Sequence, residues 1–141
     1  MVDPEKVHGL LRNLEKALEQ LHVIAQYNRE EFLADPIRIG AAKYYLQTAI
    51  EACIDIGNHL ISSERYRAPE DYRDIFNVLE ENNVITVELG VELRQMVGLR
   101  NRLVHLYWEI DDEKIFEYIQ VKLGDFNLYI HRILEYIKLL K

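Results

Sequence analysis

A polar cluster interrupts an otherwise apolar segment of the chain, residues 98–108. Its members are Arg100, Asn101, Arg102, His105 and Tyr107. An arginine stays charged and can bind an anion through several N–H donors, whereas a histidine gains or loses its proton near neutral pH. Together these residue types would suit a site that binds an anion and moves a proton beside it.

Helical geometry places Arg100 among apolar neighbours. At about 100° per residue, it lies in the middle of an apolar arc. The arc contains Leu89, Leu93, Met96, Val97, Leu103, Val104 and Tyr107. A guanidinium in such a position is costly unless its donors are matched. Two interpretations stay open: an internal ion pair with a carboxylate such as Glu51 or Asp55, or a cleft that holds an anion.

A second strip of residues lies on the same helix, about 130° away from Arg100. It comprises Arg94, Gly98, Asn101 and His105, with Arg102 just beyond. Gly98 leaves a gap where a ligand or another backbone could approach. Because Arg100 and His105 are about 140° apart, one straight helix cannot aim both at one point unless it bends near Gly98 or a second subunit completes the site. His105 could instead cap the helix C-terminus, where the dipole favours its charged form.

The elements that must position this cluster are predicted to be helices, because apolar residues recur at spacings of three and four. The predicted spans are 4–33, 36–61, 72–81, 86–106 and a terminal helix from 112 to the C-terminus. Their starts are marked by Asp3, Asp35, Asp71, Thr86 and Asp111. No stretch alternates with period two, so no sheet is expected. We predict an all-α fold, a five-helix up-and-down bundle that forms one domain over residues 1–141.

Composition restricts the functions that this chain can have. Its 141 residues suit a single domain, and its formal charge of −7 argues against indiscriminate binding of nucleic acid, which would need a local basic patch. The lone cysteine, Cys53, excludes a disulfide framework and favours a reducing compartment. There is no signal-peptide pattern and no apolar run of about 20 residues. We therefore expect a cytoplasmic protein without a membrane segment.

The order of the polar cluster resembles the signature of HEPN domains: Arg100, four residues, His105, one residue and Tyr107, with Asn101 directly after the arginine. The run Arg-Asn-Arg-Leu-Val-His-Leu-Tyr at 100–107 is similar in particular to HepT-type toxins, which are encoded beside a minimal nucleotidyltransferase antitoxin. Further segments that resemble this family are 44–47, 55–59 and 72–74. The five-helix layout, with the motif at the end of the fourth helix, matches the family over essentially the whole chain.

The resemblance implies a metal-independent endoribonuclease toxin of a type II toxin–antitoxin system, working as a homodimer whose two motifs face each other across a cleft. It assigns His105 as the general acid or base and Arg100 as the cation that stabilises the phosphate during attack by a ribose 2′-OH. Asn101 would orient the scissile group or hold His105, one helical turn away. Arg102 and Arg94 would contact RNA, and no DNA substrate is expected.

The resemblance also assigns a role to Tyr107. In toxins of this type, the motif tyrosine is the acceptor to which the partner nucleotidyltransferase attaches AMP, which places bulk and negative charge in the cleft. Without the resemblance, a tyrosine on the apolar arc would be a core or dimer-interface residue. Trp108 would serve packing or the stacking of a base. No cofactor is predicted.

Three other classes of function stay open. A noncatalytic HEPN module would bind a nucleotide or dock the nucleotidyltransferase without cutting RNA. A metal-binding bundle would use pairs such as Glu19 and His22, and we expect no metal site. A purely structural helical adaptor would explain the long apolar seams, which a bundle core with a dimer face explains equally.

Overall fold

A computed structural model describes residues 1–140, which are mostly helical and contain no strand. The helices are α1 (Pro4–Ala25), α2 (Arg29–Leu33), α3 (Pro36–Ser63), α4 (Tyr72–Glu81), α5 (Val87–His105), α6 (Asp112–Val121) and α7 (Leu123–Leu139). A 3-10 turn, Tyr107–Glu109, joins α5 to α6. The predicted all-α class is confirmed.

Side-chain caps confirm the predicted helix starts. In each case an oxygen of the capping residue accepts a hydrogen bond from a backbone N–H in the first turn of the helix that follows. The caps are Asp3, Asp35, Asp71, Thr86 and Asp111. They satisfy donors that the first turn of a helix otherwise leaves without partners.

The first predicted helix, residues 4–33, is divided in the structure into α1 and α2. Asn28 forms a capping box with Glu31: its side chain accepts from the Glu31 N–H at 2.9 Å, and the Glu31 carboxylate accepts from the Asn28 N–H at 3.1 Å. These local bonds compete with helix continuation and start a new helix. The redirected chain places Phe32 in the core, with its ring 5.5 Å from that of Phe116.

The predicted terminal helix is likewise divided, into α6 and α7, so that the structure has seven α-helices where five were expected. Lys122 lies at the junction, and Gly124, a poor helix former, follows it. The Lys122 N–H still donates to the Tyr118 carbonyl at 2.8 Å. Its ammonium group binds Glu92 of α5 at 2.9 Å, so the junction is tied to the helix that carries the polar cluster.

The core lies between α1 and α3 on one side and α4, α5 and α7 on the other. Tyr129 of α7 is fully buried and donates a hydrogen bond to the Cys53 carbonyl of α3 at 2.9 Å. Burial raises the pKa of the Cys53 thiol, which makes it a structural and unreactive cysteine. Across residues 1–140, no helix is long and apolar enough to span a bilayer.

At Gly57, side chains of α4 lie close to the backbone of α3. A Cβ at this position would lie 2.6 Å from Ile75 Cγ2 and 3.2 Å from Leu79 Cδ1. Gly57→Ala is therefore expected to reduce the free energy of unfolding by about 1–3 kcal/mol through overpacking. Thermal unfolding followed by circular dichroism measures the effect.

Gly40→Ala is the matched control on the same helix, since a Cβ there would have no neighbour within 4 Å. It should raise the free energy of unfolding by about 0.5–1 kcal/mol, because alanine favours the helix more than glycine does. Equal effects of the two substitutions would show that α3 and α4 are packed less closely than described.

Candidate active site

The predicted strip of α5 faces one cleft of about 940 Å³. We call it the His105 cleft. On α5 its lining residues include Arg94, Gly98, Asn101, Arg102 and His105. Its other walls come from α4, from the segment after α5 and from α6, through residues that include Arg73, Leu106, Ile110, Lys114, Ile115 and Tyr118. The spatial grouping predicted from helical periodicity is therefore observed.

Arg100 lies outside the His105 cleft, in a smaller cavity of about 180 Å³ that we call the Arg100 pocket. Its Nε and Nη2 atoms donate to the Glu51 carboxylate of α3 at 3.2 and 3.0 Å. The guanidinium carbon lies 5.1 Å from the centre of the Tyr72 ring, a cation–π distance. Of the two interpretations left open, the structure shows the internal ion pair, with Glu51 and not Asp55.

The Arg100 pocket is half open to solvent. The Arg100 side chain is 16% exposed and the Glu51 side chain 35% exposed, so their ion pair is not sealed in the core. Asp55 lines the same pocket. Burial raises the pKa of the Asp55 carboxyl, and the neighbouring charge of Glu51 raises it further. The pocket thus sets an arginine against an acidic wall.

Asn101 connects the Arg100 pocket with the His105 cleft. Its Oδ1 accepts a hydrogen bond from Arg100 Nη1 at 3.2 Å, while the residue also lines the His105 cleft. Within residues 1–140, no hydrogen bond joins Asn101 to His105, and Asn101 binds Arg100 instead. Helix α5 runs without interruption through Gly98. A break of the helix at that residue therefore does not bring Arg100 and His105 together.

His105 is the last residue of α5 and is exposed at the cleft. No hydrogen bond to its imidazole is formed by any side chain or backbone group of the described chain. Leu106 closes the helix instead, through its N–H to the Arg102 carbonyl at 2.8 Å. The ring is therefore free to exchange a proton with a bound ligand.

Tyr107 lies beyond the end of α5, in the 3-10 turn, so the helical wheel does not describe its position. Its ring is half-buried and lies 4.6 Å from the ammonium of Lys43, a buried side chain that also pairs with Asp112 at 2.9 Å. Trp108 packs edge-on against Tyr107 but is 93% exposed, so it belongs to the surface and not to the core. Val104, also placed on the apolar arc, is 39% exposed.

The two arginines predicted to contact RNA differ in their surroundings. Arg94 binds Glu80 of α4 at 3.2 Å, and this pair lies over the Cα of Gly90. Arg102 is exposed on the cleft wall. Arg102 therefore offers the more available positive charge.

Three titratable residues of the cleft were not predicted from the sequence: Arg73, Lys114 and Tyr118. Arg73 and Lys114 are exposed charges on amphipathic helices, which by pattern alone look like any solvated residue. Tyr118 is partly buried, and burial raises the pKa of its hydroxyl. The sequence signal for Arg73 was the segment 72–74, which resembles the HepT-type family.

An ionic network joins helix α4, which carries Tyr72 and Arg73, to the connection that precedes it. Arg67 donates to Asp74 at 2.8 and 2.9 Å and to Glu81 at 2.8 and 3.0 Å. These bonds, those from Arg67 first, hold the pKa of the Asp74 carboxyl well below its usual range and lower that of Glu81. The network fixes the α3–α4 connection against α4.

Asp74→Asn should lower the thermal unfolding midpoint at neutral pH. Because the Asp74 pKa is lower in the folded protein than in the unfolded chain, its stabilisation is present above the unfolded pKa of about 4 and is lost as the pH falls below it. The difference between wild type and variant should therefore shrink steadily as the pH falls from about 5 to about 2. A difference that grows on acidification would contradict the assignment.

Possible metal ligands are scattered in this fold. No three His, Cys, Asp or Glu side chains of residues 1–140 come close enough together to share a metal ion. Glu19 and His22, the pair noted in the sequence, are both exposed on α1.

Comparison with known proteins places this site within a family. The sequence model of the HepT-like ribonuclease family matches residues 3–133. The chain belongs to the HepT-like family. The resemblance seen in the motif at 100–107 is thereby confirmed.

This HepT-like chain is similar to proteins of known name along most of its length. It is 37% identical over 106 residues to the mRNA nuclease HepT of Shewanella oneidensis, covering 75% of this chain and 76% of that protein. It is 26% identical over 136 residues to the tRNA nuclease HepT of Aphanizomenon flos-aquae, covering 96% and 92%. A solved structure of the tri-AMPylated Shewanella oneidensis HEPN toxin with its MNT antitoxin superposes with a TM-score of 0.85, at 30% identity over 92% of this chain and 96% of that one.

Proposed function

We propose that this HepT-like protein is an endoribonuclease, the toxin of a type II toxin–antitoxin system acting in the cytoplasm, and that it cleaves RNA without a metal ion. The observation that carries the proposal is the imidazole of His105, which is free of hydrogen bonds to residues 1–140 and lies in a cleft whose walls carry several cations. The named relatives of the family are RNA nucleases, which supports the same chemistry.

The proposed reaction uses a nucleophile that belongs to the substrate. His105 accepts the proton of a ribose 2′-OH, and the 2′ oxygen attacks the adjacent phosphorus. The bond from phosphorus to the 5′ oxygen breaks, that oxygen takes up a proton from solvent, and His105 returns its own proton to solvent. The products are a 2′,3′-cyclic phosphate and a 5′-hydroxyl end. Because no water has to be activated as nucleophile, the chemistry requires only proton transfer and charge stabilisation, which histidine and arginine supply.

A second subunit completes the site in this proposal. Arg100 and His105 of one chain face the Arg100 pocket and the His105 cleft respectively, on different sides of α5. Three of the five guanidinium N–H donors of Arg100 are used by Glu51 and Asn101, and the two that remain can bind a phosphate. In a homodimer, Arg100 of one subunit would stabilise the phosphate whose attack by the 2′ oxygen is assisted by His105 of the other subunit, while Asn101 orients Arg100.

Regulation would come from a nucleotidyltransferase antitoxin. A solved structure similar to this chain is a tri-AMPylated toxin in complex with its MNT antitoxin. Tyr107 directly follows the cleft residue Leu106 in the chain and lies in the 3-10 turn after α5. We place AMPylation on its hydroxyl, which would add a bulky anion beside the cleft and block RNA.

Cleavage of a labelled RNA by the purified protein in the presence of a metal chelator tests the function. The wild type should cleave and leave 2′,3′-cyclic phosphate ends, and His105→Ala should be slower by about 10²- to 10⁴-fold. His131→Ala is the matched control, since His131 is exposed on α7 and outside the cleft. Cleavage that needs an added metal ion, or that survives His105→Ala, would refute the mechanism.

One observation favours a second candidate, a noncatalytic HEPN module that binds a nucleotide or docks the nucleotidyltransferase. Arg100 is bound by Glu51 and Asn101 of its own chain, as a purely structural arginine would be. In that case wild type, Arg100→Ala and His105→Ala would all show the same negligible cleavage, while binding of the nucleotidyltransferase would persist.

A further inference from the structure

Three cations in the His105 cleft have no carboxylate within 4.0 Å anywhere in residues 1–140: Arg73 of α4, Arg102 of α5 and Lys114 of α6. The chain has 24 acidic residues against 17 lysines and arginines, so carboxylates are abundant. Three helices that each bring an unpaired cation to one cleft create a local positive site on an acidic protein.

The position of Arg73 depends on Gly98. A Cβ at residue 98 would lie 2.8 Å from Arg73 Nη2, closer than a real Cβ contact allows. The guanidinium thus lies against the backbone of α5, at the gap that glycine leaves. This contact places Arg73 over the cleft, where its side chain stays exposed to solvent.

Arg73 is too far along α5 to share one phosphate with His105. Gly98, which it covers, precedes His105 by two helical turns, or about 10 Å along the helix axis. A phosphate bound by Arg73 would therefore be a neighbour of the one that is cut. Lys114 lies across the cleft from α5, on α6.

Between these cations the cleft wall is largely apolar. It includes Val91, Leu106, Ile110, Ile115 and Tyr118. An apolar and aromatic surface flanked by cations fits a strand whose bases are unstacked, because bases contact the surface while phosphates meet the charges. A base-paired duplex offers no such exposed base faces.

We propose that Arg73 and Lys114 form a phosphate-binding subsite that holds single-stranded RNA beside the cut. This inference rests on the proposed function, which supplies RNA as the substrate. It adds the residues that bind RNA away from the cut and the preference for a single strand. The subsite serves binding and not the chemical step. Arg102 lies between it and His105 and extends the same positive surface.

RNA affinity measured without cleavage tests the subsite. Arg73→Gln and Lys114→Gln are each made in the His105→Ala background, and binding of a short fluorescent single-stranded RNA is followed by anisotropy over a range of salt concentrations. Each substitution should weaken binding roughly three- to tenfold at about 50 mM salt and reduce the slope of log K against log salt by about 0.7.

Arg12→Gln is the matched control, an exposed cation of α1 outside the cleft. In the otherwise wild-type protein, Arg73→Gln should raise KM and leave kcat within about twofold, since only uniform binding is lost. RNA affinities and salt slopes equal to those of Arg12→Gln would overturn the subsite, as would unchanged RNA binding combined with weakened antitoxin binding. Binding is measured with the inactive His105→Ala protein. A failure of the subsite therefore appears in the RNA affinity, whereas a failure of the cleavage proposal appears in the cleavage rate.

Discussion

An equimolar mixture of the Arg100→Ala and His105→Ala proteins is expected to recover about a quarter of the wild-type cleavage rate, although each alone has lost at least about a hundredfold. The two side chains lie on different sides of α5, with Arg100 held by Glu51 and His105 free at the helix end. If a site combines Arg100 of one subunit with His105 of the other, each mixed dimer has one intact site and one that lacks both residues. About half of all dimers are mixed after random exchange, which gives the expected quarter.

The measurement is the initial rate of cleavage of a fluorogenic RNA after subunit exchange, with mixed dimers counted by native mass spectrometry. Mixing Arg100→Ala with the double variant Arg100→Ala/His105→Ala is the control, because no pairing of these chains restores an intact site. A mixture as inactive as its components, despite proven mixed dimers, would place both residues of a working site in one subunit.

Tyr107→Phe is expected to abolish AMP transfer to this protein by its nucleotidyltransferase and to leave RNA cleavage uninhibited by that enzyme. In the transfer, the phenol oxygen attacks the α-phosphorus of ATP and pyrophosphate leaves, so phenylalanine has no atom that can react. The ring itself should stay in place, since its contact with Lys43 at 4.6 Å involves the π face and not the hydroxyl. Incorporation of label from α-labelled ATP, with peptide mapping, measures the loss.

Tyr44→Phe is the matched control for that experiment. Tyr44 is 61% exposed on α3 and lies outside the motif, so its loss should not change the labelling. Undiminished labelling of the Tyr107→Phe protein would move the modification to another residue and remove Tyr107 from the regulatory proposal.

Periodicity and capping chemistry predicted the parts of this fold that depend on local sequence. Asp3, Asp35 and Asp111 start helices because their side chains accept bonds from the next few N–H groups, whatever the tertiary context. The division at Asn28 was missed although it is also local. A helical pattern of apolar residues continues across the capping box, so periodicity by itself predicts one unbroken helix there.

The surroundings of the site residues depend on contacts between helices, which a single sequence does not record. Glu51 and Asp55 are one turn apart on the same helix, and nothing in their spacing decides which one binds Arg100. Arg73 became part of the cleft only because α4 packs alongside α5, with Arg73 over Gly98 and Glu80 over Gly90. The grouping of Asn101 with His105 could be predicted because both lie on one helix, where geometry is fixed.

Helix α5 buries Leu93, Met96 and Val97 on one face and exposes the His105 cleft on another. Folding thus depends on one face of this helix, and the proposed RNA cleavage depends on another. Under the proposed function, a substitution at His105 would produce a well-folded chain that no longer cleaves RNA. In a cell that also makes the normal chain, the two would pair, and each mixed dimer would keep at most one intact site, so a loss of catalysis in one gene copy would also lower the output of the other.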